Sequence, residues 1–183
     1  MDWLAKHVEE IKLGTEIDKF TEMEKLFSDA IKENNLEKAL GIYENANKAC
    51  IKSFEFHEVA ASAFKQLNDR KTALKAYGKA IALEPESGNY FLRGSLYQRL
   101  KQYENANCDY EQCLALDKEN IYSAICLRYG AYCDAKLKDK RAALAKLKEL
   151  QQYLSKKEYE DGRFSYCGGK VSIPIIEKMI TEI

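Results

Sequence analysis

Small and aromatic residues return along this chain at a fixed interval, against a background of alternating charge. Ala39, Tyr43 and Ala46 recur 34 residues later as Ala73, Tyr77 and Ala80. They recur 33 residues after that as Ala106, Tyr110 and Cys113. Upstream of each triplet stand Phe27/Ala30, Ala61/Phe64 and Gly94/Tyr97, at the same offsets. Spacings of three and four residues place each set on one face of a helix. Short polar breaks separate the two sets within each copy: Glu33-Asn34-Asn35, Asn68-Asp69-Arg70 and Lys101-Gln102. The pattern predicts three consecutive pairs of antiparallel helices, over 20–53, 54–86 and 87–120. One such pair cannot bury its apolar face alone, so neighbouring pairs must stack. Helices approach closely only where side chains are small, which predicts crossings at Ala39, Ala73 and Ala106 opposite Ala30, Ala61 and Gly94. Phe27, Tyr43, Phe64, Tyr77, Tyr97 and Tyr110 would fill the space between.

The period, with a small residue, an aromatic three later, then Ala, aromatic and small, resembles the tetratricopeptide repeat. The fullest copy is Tyr90-Phe91-Leu92-Arg93-Gly94-Ser95-Leu96-Tyr97, followed by Tyr103, Ala106, Tyr110 and Cys113. Ala80-Ile81-Ala82-Leu83-Glu84-Pro85 resembles the family's helix end and terminal proline. The resemblance implies an all-α fold, an α-solenoid of stacked hairpins in a single domain over 1–183. A diverged fourth hairpin fits 121–157, with helices over 121–137 and 139–154; Ala131, Ala143, Leu147 and Leu150 take the repeat positions. Ala106 to Ala143 is 37 residues, so about three extra residues must be absorbed. Residues 1–19 read as an N-terminal capping helix, with Leu4, Val8 and Ile11 on one face and Gly14 ending it. Residues 158–183 read as an irregular, Gly-containing loop followed by a C-terminal capping helix from Ser172-Ile173-Pro174.

Composition narrows the class further. Ala, Leu, Lys and Glu dominate, while the chain holds only three Val and four Thr, so strand formers are scarce. Lys+Arg and Asp+Glu are equal at 29 each, which argues against a nucleic-acid binder, since nothing would neutralise a phosphate backbone in bulk. No apolar run approaches the length of a membrane span, and the start lacks the signature of a signal peptide. The cysteines form no CxxC pair and have no zinc spacing, so no metal or cofactor is expected and reduced thiols in the cytoplasm are the natural reading.

Catalytic chemistry finds little support. His57 occupies an aromatic repeat position and reads as packing. Cys50, Cys108, Cys113, Cys126 and Cys133 read as small core residues of helices, leaving Cys167 in Tyr166-Cys167-Gly168-Gly169-Lys170 as the one candidate thiol for an enzyme. Gly168-Gly169-Lys170 fails as a phosphate loop, because Phe164 and Val171 stand where Gly and a hydroxyl are required. The chain is therefore not expected to be an enzyme.

Binding is better supported. In the family that these repeats resemble, ligands lie in a concave groove lined by the first helix of each repeat. The resemblance places Ser28, Ser62, Ser95 and Tyr132 at its ninth positions, Glu24, Glu58, Phe91 and Arg128 at its fifth, and Lys32, Gln66, Arg99 and Lys136 at its thirteenth. These positions grow more aromatic and cationic toward the C-terminus. Net charge follows, from −3 over 1–53 to −1 over 54–120 and +4 over 121–183 (8 − 11, 9 − 10 and 12 − 8). The expected site is Ser62, Phe91, Ser95, Arg99, Arg128 and Tyr132, taking a protein or peptide partner. Some family members clamp the carboxylate tail of heat-shock chaperones with Lys, Asn and Arg. Here Glu24, Ser28, Val59, Gly88 and Leu92, or Glu58, Ser62, Leu92, Ile125 and Tyr129, hold those places, so that clamp is not expected. The reading is non-catalytic protein recognition, with a dedicated small chaperone or a toxin-neutralising protein as the alternative.

Overall fold

The computed structural model describes residues 16–48, 53–119, 121–156, 163–166 and 169–172, with Lys178 and Thr181. The chain divides between the second and third repeats into two compact units, Met1–Pro85 and Glu86–Ile183. In the first unit, α1 (Glu16–Lys32) pairs with α2 (Leu36–Lys48) and α3 (Phe54–Gln66) with α4 (Arg70–Leu83). In the second, α5 (Ser87–Arg99) pairs with α6 (Tyr103–Leu116) and α7 (Ser123–Lys136) with α8 (Lys140–Lys156). The described helices are thus all antiparallel hairpins of the α-solenoid class.

Each hairpin turns in the same way. Asn34, Asn68, Lys101 and Lys138 adopt positive φ angles of 49°, 63°, 60° and 65°, just after the first helix. The next amide then reaches back to a carbonyl five residues earlier, as Asn35 N–H does to Ala30 O at 2.8 Å and Gln102 N–H to Tyr97 O at 3.0 Å. This geometry satisfies helix-end carbonyls and reverses the chain within two residues. Asn35, Asp69 and Asp139 then cap the second helix, accepting from the backbone N–H of Lys38, Thr72 and Ala142. The left-handed residues are spaced 34, 33 and 37 apart, the same intervals as the repeat itself. The three extra residues of the fourth hairpin lie before α7: residues 117–122 connect α6 to α7, whereas 84–86 suffice between α4 and α5. Asp117 organises that longer connection, accepting from Ile121 N–H, Tyr122 N–H and Ser123 Oγ–H at 2.7–2.9 Å.

The repeat positions form the core. Ala39, Ala46, Ala73, Tyr77, Ala80 and Ala106 are wholly buried, as are Ala143, Leu147 and Leu150 of the fourth hairpin. Burying an aromatic or Leu side chain contributes about 1.5–3 kcal/mol, so the aromatic positions carry much of each hairpin's stability. Around Phe27 in the first unit, Phe56 and Phe64 lie at ring distances of 6.2 and 6.1 Å, and Tyr43 meets both of them at 5.5 and 5.4 Å. In the second unit Tyr110 plays the central part, with Phe91 and Tyr129 at 6.4 and 5.9 Å.

Two expectations need correction, and others fall outside the described residues. Cys113, Cys126 and Cys133 are buried as expected, but Cys108 is exposed, because Ala106, Tyr110 and Cys113 already occupy the inward face of α6. The segment read as an irregular loop contains an antiparallel hairpin, β1 (Arg163–Tyr166) and β2 (Gly169–Ser172), paired from Arg163–Ser172 to Tyr166–Gly169. Phe164, Tyr166 and Val171 in short alternating runs are strand formers. The expected N-terminal helix over 2–13, the C-terminal helix as a whole, Cys50 and Cys167 lie outside the described residues.

Candidate functional site

In the C-terminal unit, α5 and α7 meet through aromatic rings. Phe91 stacks on Tyr122 at 5.1 Å and lies nearly parallel to Tyr129 at 6.4 Å, with an interplanar angle of 9°. Phe91 is therefore half-buried among rings rather than presented freely. Ser95, one turn on, is also half-buried, and its hydroxyl donates to the Leu92 carbonyl at 3.1 Å. Arg99 is exposed in the last turn of α5. On α7, Arg128 is half-buried while Tyr132 is 40% exposed. The Tyr132 ring meets Tyr103 edge-on at 6.1 Å and carries the Lys136 ammonium 5.2 Å from its centroid. Phe91, Ser95 and Arg99 thus follow one stripe of α5, and Arg128, Tyr132 and Lys136 one stripe of α7. Ser62 belongs to the N-terminal unit and is half-buried on α3.

Polar contacts behind this face hold it in place. Arg93 donates through Nε and a terminal nitrogen to both Asp109 oxygens, at 2.8 and 2.7 Å. Its guanidinium lies 5.6 Å from the Tyr90 ring and 5.9 Å from the Tyr97 ring. Asp134 of α7 is buried, pairing with Lys146 Nζ at 2.9 Å and accepting from Asn107 of α6. Lys146 also donates to Asn107 Oδ1 at 2.7 Å and reaches Glu111 at 3.2 Å, so one ammonium ties α6, α7 and α8 together. Gly130 makes room for it, since a Cβ there would stand 3.1 Å from Lys146 Cδ. None of these pairs was legible in the sequence. Arg93, Asp109, Asp134 and Lys146 read as ordinary charges on helices, and Tyr122 carried no signal at all.

Outside these ion pairs, His57, Tyr77, Cys126 and Cys133 are held neutral. His57 is buried with Nδ1 3.1 Å from the Tyr43 hydroxyl, and burial, with the Lys79 charge nearby, lowers its pKa to about 4. Burial pushes Tyr77 up to about 12 and the Cys133 thiol up to about 11. The hydrogen bond to Cys113 and burial together push Cys126 well up. Such groups neither ionise nor exchange protons near neutrality. Among the described residues no group of His, Cys, Asp and Glu is placed to hold a metal ion.

His57 makes the N-terminal unit sensitive to acid. Its folded pKa lies below the unfolded value of 6.5, so its contribution is complete above pH 6.5 and declines as pH falls toward 4. The expected loss relative to neutral pH is about 2 kcal/mol at pH 5. Urea unfolding of the wild-type chain and of His57→Phe at both pH values measures it. An equal loss in the two proteins would assign the effect to other groups.

The comparisons with known proteins agree with this architecture. A family model described as tetratricopeptide repeat matches residues 54–87 and 88–120, the second and third hairpins. Among curated proteins, none matches the sequence. Among solved structures, the crystal structure of MamA protein is similar at 16% identity and a TM-score of 0.52, over 87% of this chain and 98% of that one. The MamA RS-1 ArsTM double mutant is similar at 13% identity and a TM-score of 0.59, over 90% of this chain and 94% of that one. A tetratricopeptide repeat protein from Parabacteroides merdae ATCC 43184 has a TM-score of 0.57 at 17% identity, over 84% of this chain and 61% of that one. At these identities the likeness is one of fold. Residues 54–87 and 88–120 are thus tetratricopeptide repeats, and the described helices share the fold of stacked repeats of that kind.

Proposed function

We propose that the chain is a non-catalytic scaffold that binds a protein or peptide segment on the first-helix face of its repeats. In the C-terminal unit the contacts are Phe91, Ser95, Arg99, Arg128 and Tyr132; in the N-terminal unit, taken by itself, Ser62 holds the corresponding position of the second repeat. Tyr132 carries the reading. It is a large aromatic left 40% exposed on a helix whose remaining faces are packed, in the position where a tetratricopeptide repeat meets its ligand. Aromatic and Arg side chains of this kind dominate binding once desolvated. Against catalysis stands the neutrality of the buried histidine, tyrosine and cysteine groups. No described helix is long and apolar enough to cross a membrane. Free thiols at Cys113, Cys126 and Cys133 suit a reducing compartment, which supports the cytoplasm as its location.

A photo-crosslinking residue placed at position 132, in parallel with one at Lys148 on α8, tests the face. Partner capture is expected at 132 and not at 148. Tyr132→Ala should then weaken that partner by about 1–2 kcal/mol while barely changing the melting temperature. Phe91→Ala should lower both affinity and stability, because its ring is stacked on Tyr122 and Tyr129. Crosslinks confined to Lys148, or a Tyr132→Ala protein of unchanged affinity, would count against the proposal.

A further inference from the structure

The charges on the first helices point to the chemistry of the partner. Going along the chain, α1 carries five acidic residues, α3 two, α5 none and α7 one. The single acid of α7, Asp134, is buried and neutralised by Lys146. Asp109 likewise neutralises Arg93, whereas Arg99, Arg128 and Lys136 have no ion pair among the described residues. Arg99 and Lys136 lie in the last turns of their helices, where a cation complements the helix dipole without any ligand. Arg128 has no such explanation. It sits mid-helix, half-buried beside Tyr129, with no carboxylate among the described residues to pair with, and so is open to one from a partner.

We propose that the partner segment on the α5–α7 face is acidic, with a carboxylate on Arg128 and further carboxylates toward Arg99 and Lys136. This rests on the first-helix face being the binding surface. Arg128, Tyr132 and Lys136 stand at successive turns, so their stripe is about 12 Å long. That matches about four residues of extended chain, enough for two carboxylates flanking an apolar or aromatic side chain laid against Tyr132. Arg128 can take its carboxylate in two parallel hydrogen bonds, which orients the segment as well as attracting it. The same cations raise the rate of encounter with an acidic partner and disfavour a basic one.

The test is fluorescence anisotropy on the full chain with three labelled peptides: alternating Glu and Tyr, its Gln-for-Glu analogue and its Lys-for-Glu analogue. The Glu peptide is expected to bind about tenfold more tightly than the Gln peptide at low salt, with the gap narrowing at high salt. The Lys peptide should bind weakest. Arg128→Glu should remove the preference for Glu and raise the affinity of the Lys peptide. Arg99→Glu combined with Lys136→Glu repeats the test at exposed positions, where folding is not at issue. Lys148→Glu, on the exposed surface of α8, should leave all three affinities unchanged. Failure of the Glu peptide to bind, equal binding of all three, or equal effects of Arg128→Glu and Lys148→Glu would overturn the acidic partner. A partner crosslinked at position 132 and indifferent to Arg128→Glu would overturn it too, while leaving the binding face intact.

Discussion

Asp109→Leu should lower the stability of the C-terminal unit by about 3 kcal/mol, because it leaves Arg93 charged, largely dehydrated and without its counterion. The Arg93 side chain is 20% exposed and that of Asp109 is 5% exposed, so water can repair little of the loss. The guanidinium cannot swing away easily either, since Tyr90 and Tyr97 lie on the same helix on either side of it. A guanidinium keeps its proton at any ordinary pH, so deprotonation offers no escape. The double variant Arg93→Met/Asp109→Leu removes both charges and should recover most of the stability, as replacing a buried pair by apolar groups is often near neutral. Urea unfolding of the two single variants and the double variant measures the coupling. If Asp109→Leu changed stability no more than a surface substitution, within about 0.5 kcal/mol, the pair would not be holding α5 against α6.

Gly94→Leu should be nearly as damaging, at about 3 kcal/mol, and for a steric reason. A Cβ at position 94 would stand 3.0 Å from Tyr110 Cε1 and 3.1 Å from Asp109 Cβ. Neither neighbour is the loose end of a side chain. The Tyr110 ring is buried against Phe91 and Tyr129, and its hydroxyl donates to Gln98 Oε1 at 2.6 Å. A longer side chain must therefore push α5 away from α6 along the crossing. Lys75→Ala on the exposed face of α4 is the control and should stay within about 0.5 kcal/mol. Thermal melts of both variants decide the matter. Equal small shifts would mean that Gly94 is not at the crossing and that the repeat register is misplaced.

The sequence by itself determined the hairpins, their register and their core. Ala39, Ala73 and Ala106, with the aromatics four residues beyond each, are buried where the interval of 34 and 33 residues predicts. The turns repeat at Asn34, Asn68 and Lys101 for the same reason. These features depend on helical periodicity and on local hydrogen bonds spanning about five residues, so the information lies within one turn of each position. The same reasoning missed the short strands of 163–172, whose few residues carry too weak an alternation beside a Gly-rich stretch.

Tertiary structure alone decided which charges and rings meet. Arg93 and Asp109 are 16 residues apart, and Lys146 and Asn107 are 39 apart, on helices that all carry several charges. Nothing local distinguishes Asp134, which is buried and paired, from Asp139, which is exposed and caps a helix. Phe91 illustrates the same limit at the candidate site: its repeat position is legible, but its stacking on Tyr122 and Tyr129 is not. Periodicity selects the face that a helix buries. The partner of each side chain depends on how closely and at what rotation two helices approach, and that distance is fixed jointly by small residues such as Gly94 and Gly130 and by every ring packed around them.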